Sequence, residues 1–148
     1  MQDKNGVEMV TGMVVRISNA YFKNDNGLYY IDRTPGDPSW CGRDYCMSKI
    51  SKSGKLSTAK YRLAFWPLKS YCSGLRKNAE ADTWNKEHAE IEVVSITNTE
   101  ELKQHFRDEA ASMKAQYEHE VLYWGENEYA TKMKKAFTYY EAVANRIA

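Results

Sequence analysis

The sequence predicts an α+β fold, with an N-terminal antiparallel β-sheet followed by two C-terminal α-helices that form a helical arm. Three observations carry this. Up to about residue 96, short β-branched and aromatic runs alternate with tight-turn clusters, the pattern of strands joined by hairpins. From about residue 97, apolar residues recur at steps of three and four, the period of one helix face. At Gly125 that period slips by one residue, which separates two helices. The 148 residues are one domain's worth. Residues 1–148 are therefore read as a single domain, with a sheet region over 1–96 and a two-helix arm over 97–148.

Met9 to Ile17 is the first strand, with Met13, Val15 and Ile17 on one face and Val14, Arg16 and Ser18 on the other. Asn24-Asp25-Asn26-Gly27 is a turn of the Asn-Gly type, expected to join Ala20–Lys23 to Leu28–Asp32. Pro35-Gly36-Asp37-Pro38-Ser39 is a second turn, stiffened by both prolines. Ser51-Lys52-Ser53-Gly54-Lys55 is a third, between Met47–Ile50 and Leu56–Ser57. Tyr61 to Trp66 reads as a strand stopped by Pro67, and Ile91 to Ile96 as another. Glu80 to Glu90 fits a short helix with Trp84 and His88 four apart.

Asn98 with Glu101 fits a capping box at the start of the first long helix. Its apolar stripe runs Leu102, Phe106, Ala110, Met113, Tyr117, Val121, Trp124, and Gly125 stands where a C-terminal cap is expected. A second stripe runs Tyr129, Met133, Ala136, Tyr140, Val143, Ile147. Two antiparallel helices are expected, one long bent helix being the competing reading. The stripes carry more apolar area than one small sheet covers. A homo-oligomer, a dimer or larger, joined through the C-terminal helices is therefore expected.

Composition narrows the function classes. Hydrophobic residues make up 43% and charged residues 28%, near the globular average, so a disordered chain is excluded. No apolar run approaches the roughly 20 residues of a membrane span. The polar Met1–Gly6 stretch lacks the apolar region of a secretory signal, and three cysteines do not make a disulfide scaffold. The net charge of +1 conceals two opposed regions. Residues 40–77 hold nine Lys or Arg and one acid, net +8, whereas residues 78–128 hold thirteen acids and four bases, net −9. Ten of the nineteen aromatics fall within residues 21–71, so the aromatic-rich and basic regions overlap. Aromatic faces interleaved with cations suit a planar anion, because bases stack and phosphates pair. The acidic region would repel a long polyanion, which argues against nucleic acid as the partner. A small anion in a local pocket tolerates distant acids, which salt screens beyond about 8–10 Å.

Motifs for covalent or metal chemistry are not supported. Cys41 and Cys46 have four residues between them, with no second matching pair, and His88, His105 and His119 are scattered, so no metal site is expected. Gly54-Lys55 lacks both the upstream glycine and the following Ser or Thr of a phosphate loop. No G-x-S-x-G elbow occurs. Glu90 and Glu92 share one strand face, as exposed strands commonly arrange. No catalytic residues and no cofactor are expected.

Three stretches carry a resemblance: Arg16-Ile17-Ser18-Asn19-Ala20-Tyr21-Phe22-Lys23-Asn24-Asp25-Asn26-Gly27-Leu28-Tyr29-Tyr30, then Pro35-Gly36-Asp37-Pro38-Ser39-Trp40, then Tyr61-Arg62-Leu63-Ala64-Phe65-Trp66-Pro67. They look like small proteins of phages and mobile elements of Firmicutes. The two-part plan resembles the phage Thoeris anti-defence protein one family, which are nucleotide sponges. The resemblance implies an N-terminal antiparallel sheet, two C-terminal helices and assembly through those helices. It implies binding of cyclic ADP-ribose isomers made by immune TIR enzymes, in some members also of cyclic oligonucleotides, without cleavage, in the cytoplasm of the infected host. No ligand residue of the family is carried over.

Candidate ligand-binding residues come from type and place alone. Arg16 lies opposite the apolar face of the first strand. Trp40, Arg43 and Tyr45 follow the double-proline turn. Arg62 and Trp66 share a strand face, Asn85 and His88 precede the last strand, and Arg107 is a cation early in the first long helix. The plain structural reading makes the tryptophans core residues, His88 a satisfied structural histidine and Arg107 part of a solvated helix face. Two other functions fit the same composition: a protein-binding inhibitor of a bacterial defence nuclease, using the acidic surface as a nucleic-acid mimic, and a small nucleotide-processing enzyme.

Overall fold

Four short runs of β-branched and aromatic residues become strands: β1 (Val14–Ser18), β2 (Gly27–Arg33), β3 (Cys46–Ile50) and β4 (Glu90–Val94). They form an antiparallel sheet in the order β3-β2-β1-β4. Two helices follow, α1 (Glu100–Trp124) and α2 (Glu128–Arg146), so the fold is α+β as the sequence predicts. This computed structural model describes residues 1–20, 23–38, 45–57 and 89–147. The expected strand Tyr61–Trp66 and helix Glu80–Glu90 lie outside the described residues, apart from the last two positions of the latter. Among the described residues, no helix is long and apolar enough to cross a membrane. The chain divides into two compact units, Met1–Pro35 with Gly42–Thr97 and Gly36–Cys41 with Asn98–Ala148.

In the sheet unit, register decides the core. Val15 stands opposite Tyr29 and Val93, and Ile17 opposite Gly27 and Ile91. Ile31 pairs with Met47. This period-2 face, with Met9, Tyr45 and Ala89, forms one buried cluster. Each large apolar side chain so buried contributes about 1.5–3 kcal/mol. A glycine is needed opposite Ile17, because Gly27 has φ +142° and an added Cβ would lie 3.2 Å from Lys49 Cε.

Two strand boundaries differ from the sequence expectation, each for a local reason. β1 begins at Val14, not Met9. The chain turns at Gly12 (φ +93°), whose N–H donates to the Ile31 carbonyl at 2.8 Å. β1 also ends at Ser18, and Lys23–Asp25 form a 3-10 turn instead of continuing a strand. Asn19 adopts the left-handed region (φ +53°), and Asn26 Oδ1 accepts the Ala20 N–H at 2.8 Å. Side-chain bonding to the loop thus replaces a ladder there. The Ser51–Lys55 turn forms as expected, with Gly54 at φ +86° and Ile50 bridged to Leu56.

Each sheet edge has backbone groups bonded by neighbouring segments among the described residues. Beyond β3, the Ser57 N–H donates to the Lys49 carbonyl at 2.9 Å. Beyond β4, the Lys4 N–H donates to the Ile91 carbonyl at 2.9 Å, and the Val93 N–H donates to Asp3 Oδ2 at 2.8 Å. Asp3 is buried, and its Oδ1 also accepts from the Asn5 and Val7 amides at 2.9 Å each. Burial pushes the Asp3 carboxyl upward, but the Val93, Val7 and Asn5 amides and the Lys4 charge outweigh it and hold it below its ordinary value.

In the helical unit, α1 begins one residue later than expected. Thr99, not Asn98, is the N-cap, and its carbonyl accepts from Lys103 at 2.9 Å; its own side chain makes no cap hydrogen bond. Glu100 and Glu101 in the first turn complement the helix dipole instead. Gly125 ends α1 at φ +73° and ψ −176°, its N–H bonded to the Val121 carbonyl. Asn127 then caps α2 by accepting the Ala130 N–H at 2.8 Å. The three-residue link returns the chain antiparallel, as the ring pairs Phe106–Tyr140 and Tyr117–Phe137 confirm. Leu102, Phe106 and Ala110 are buried, as are Met133, Ala136, Tyr140, Val143 and Ile147. Met113, Tyr117 and Val121 are half-buried, and two expected stripe members are exposed. Trp124 is the last helical residue before the reversal, so nothing of α2 lies beyond it, and it is exposed. Tyr129 is also exposed, and Ala130 takes the inward position because the Asn127 cap sets the phase of the first turn.

Candidate functional site

The end of β2 departs most from regular structure. Ile31 pairs with Met47 and Arg33 with Cys46, so Asp32 is an extra residue in the ladder, a β-bulge. A bulge redirects the side chains around it. Asp32, Arg33 and Thr34 are all buried. The Arg33 guanidinium donates from Nη1 to the Asp32 carbonyl at 2.8 Å and lies 3.3 Å from Asp32 Oδ1. Thr11 is buried beside them, its hydroxyl 3.4 Å from that of Thr34.

Burying a guanidinium with a carboxylate costs several kcal/mol per ion before attraction repays it. Well-packed apolar residues often stabilise such a position as well or better, so this buried pair at a bulge is taken as the candidate site. The pair stands immediately before Pro35-Gly36-Asp37-Pro38, with Gly36 at φ +91°, and this turn leads into the basic, aromatic stretch from Trp40. Sequence reasoning passed over Arg33. The available signal was a charged dipeptide, Asp32-Arg33, ending an otherwise apolar aromatic strand directly before a proline turn.

Within the sheet unit, the structure places Arg16 and Tyr45 on opposite faces. Arg16 is exposed on the sheet face opposite the buried cluster, in register between Leu28 and Glu92. Among the described residues it has no ion-pair partner: Glu92 is held by Lys4 at 3.5 Å and by the Asn5 amide at 3.4 Å. Tyr45 belongs to the buried cluster on the other face, its hydroxyl donating to the Met9 carbonyl at 3.4 Å. Arg16 and Tyr45 therefore do not share a site. Arg107 is exposed on α1. Trp40, Arg43, Arg62, Trp66, Asn85 and His88 lie outside the described residues.

The α1–α2 hairpin carries a groove of about 460 Å³, lined by Ser112, Ala115, Gln116, His119, Glu120 and Tyr129. Among the described residues, no lysine or arginine lines it. Among the described residues, Cys46 is the one cysteine, and it is buried.

Compared with known protein families, curated proteins and solved structures, the chain matches none.

Proposed function

We propose that this protein binds a nucleotide immune signal, a cyclic ADP-ribose isomer or a related cyclic nucleotide, and sequesters it without cleaving it in the cytoplasm of an infected bacterial host. The observation that carries the proposal is the coincidence of charge and aromaticity. Residues 40–77 hold net charge +8 and overlap residues 21–71, which hold ten of the nineteen aromatics. A cyclic ADP-ribose isomer presents one purine to stack on a ring and a pyrophosphate to pair with cations. The β2 bulge supports the reading, since it holds a buried guanidinium seven residues before that basic stretch in the sequence. The α+β plan, sheet first and helix hairpin second, is also the plan of the sponge family that the sequence resembles.

A sponge competes with a receptor for a scarce ligand, so tight binding is required and a general base is not. The test incubates the protein with the TIR-made signal, separates bound from free by ultrafiltration, then heats the protein. Depletion of free signal followed by recovery of intact signal is the expected result. Depletion with degraded product would make the protein an enzyme. No depletion of cyclic ADP-ribose isomers or cyclic dinucleotides would overturn the proposal. Arg16→Glu should keep the fold, because Arg16 is exposed, and reports whether that sheet face contributes to retention.

A further inference from the structure

Among the described residues, five large apolar side chains are exposed, and four of them sit at one end of the helix hairpin: Leu122 (78%), Tyr123 (65%), Trp124 (76%) and Tyr129 (49%). Free surfaces scatter such residues singly, so this concentration marks a contact surface. The same end carries one sign of charge. Residues 115–131 hold four acids, Glu118, Glu120, Glu126 and Glu128, and no lysine or arginine. None of the four forms an ion pair with a described residue. Glu120 accepts from the Asn127 amide at 2.9 Å and Glu126 from the Tyr117 hydroxyl at 2.6 Å, uncharged donors that leave both charges in place. The groove of about 460 Å³ adjoins the patch, with Glu120 and Tyr129 in its lining. Tyr123 borders it, its ring 4.6 Å from that of His119.

We propose that this tip is a docking site for a basic amphipathic segment of another protein. Charge selects that occupant. A second copy seated tip to tip would set four more acids against these four, and like charges across a contact are costly. An anionic bilayer would be repelled in the same way, although Trp and Tyr suit a bilayer interface. A segment with Lys or Arg beside apolar side chains meets both features of the tip. Its apolar side chains cover Leu122 and Trp124, and its cations face Glu118, Glu126 and Glu128. One arginine has a place in the groove, stacked on the Tyr129 ring and bonded to Glu120, whose Oε1 serves Asn127 and whose Oε2 remains for the guanidinium. Large aromatic side chains cover roughly 150–250 Å² each, so the four exposed residues offer roughly 500 Å². That area suits a short segment, at the low end of specific interfaces.

This proposal does not rest on the nucleotide reading, and its test contains no nucleotide. Three fluorescein-labelled helical peptides of roughly 14 residues, about four turns, serve as probes. The first carries Leu on one face and Arg on the other, the second replaces Arg by Glu, and the third keeps Arg but replaces Leu by Ser. Fluorescence anisotropy with the full chain should give the first a Kd of about 1–100 µM, as an interface of this size allows, and the others about tenfold weaker binding or none. Raising salt from about 0.1 to about 1 M shortens the screening length from about 10 to about 3 Å and should weaken the first peptide several-fold. Trp124→Ser should weaken it about tenfold and Glu120→Gln about fivefold. Glu141→Gln, an exposed acid toward the far end of α2, should leave it unchanged. Trp124 and Glu141 are exposed and glutamine keeps an oxygen for Asn127, so circular dichroism of all three should match the parent. No binding of the Leu–Arg peptide overturns the proposal, as does equal binding by the parent and Trp124→Ser. Equal binding of the Leu–Arg and Ser–Arg peptides also overturns it, leaving charge alone. Co-sedimentation with phosphatidylcholine vesicles that Trp124→Ser abolishes would overturn it in favour of a membrane contact. A dimer of twice 17.1 kDa that Trp124→Ser dissolves would overturn it in favour of a second copy.

Discussion

Replacing Asp3 by asparagine probes how the open edge of β4 is sealed. The carboxylate accepts three backbone amides, Asn5 and Val7 at 2.9 Å on Oδ1 and Val93 at 2.8 Å on Oδ2. A hydrogen bond to a charged group contributes about 1.5–3 kcal/mol. Asparagine keeps one acceptor oxygen for Asn5 and Val7 and turns an NH2 group toward the Val93 N–H, so one charged bond is lost and two become neutral. The expected cost of Asp3→Asn is about 2 kcal/mol, and of Asp3→Ala about 3, since water reaches part of the vacated site. With a urea slope of about 1–3 kcal/mol per M, the asparagine midpoint should fall by about 1 M. Amide exchange should accelerate first at Val93. The pH dependence has a definite sign. The folded carboxyl titrates below its unfolded value of about 3.9. Its contribution is therefore complete above that value and disappears as pH falls through the lower, folded one. The parent should lose stability below about pH 4 more steeply than Asp3→Asn. Equal urea midpoints, or parallel acid profiles, would refute the sealing role of Asp3.

Other substitutions read the helical unit. Phe106 is fully buried against Tyr140, with centroids 6.5 Å apart, so Phe106→Ala should cost about 3–5 kcal/mol in chemical denaturation. Gly125 occupies φ +73° and ψ −176°, a region essentially reserved for glycine, so Gly125→Ala should cost about 1–3 kcal/mol and lower the thermal midpoint. Asn127→Ala removes the cap of α2 and should cost about 1 kcal/mol, largely restored by Asn127→Asp. The Tyr117 phenol is held above its ordinary value, first by its bond to Glu126, then by burial and the Glu126 charge. In an ultraviolet titration it should stay protonated after exposed tyrosines have ionised, and Glu126→Gln should bring it back toward them.

The sequence by itself determined the order of elements, because that order follows from local period. Steps of three and four place Phe106 and Ala110 on one helix face, and the slip at Gly125 separates α1 from α2. Alternation likewise sends Val15 and Ile17 inward and Arg16 outward. Strand ends were less legible, because turn residues acted through bonds that propensity does not encode. Asn26 reaching back to Ala20 ended the first hairpin ladder early. What only the tertiary structure decided are the long-range relations. Asp3 meets Val93 across 90 residues, a pairing with no local signature. The bulge at Asp32 exists only relative to β3, and it buries Arg33, which as a letter in the chain reads as a solvated cation. Trp124 and Tyr129 continue perfect apolar stripes, yet they are exposed, since a stripe states which face is apolar and the partner helix states how far that face is covered.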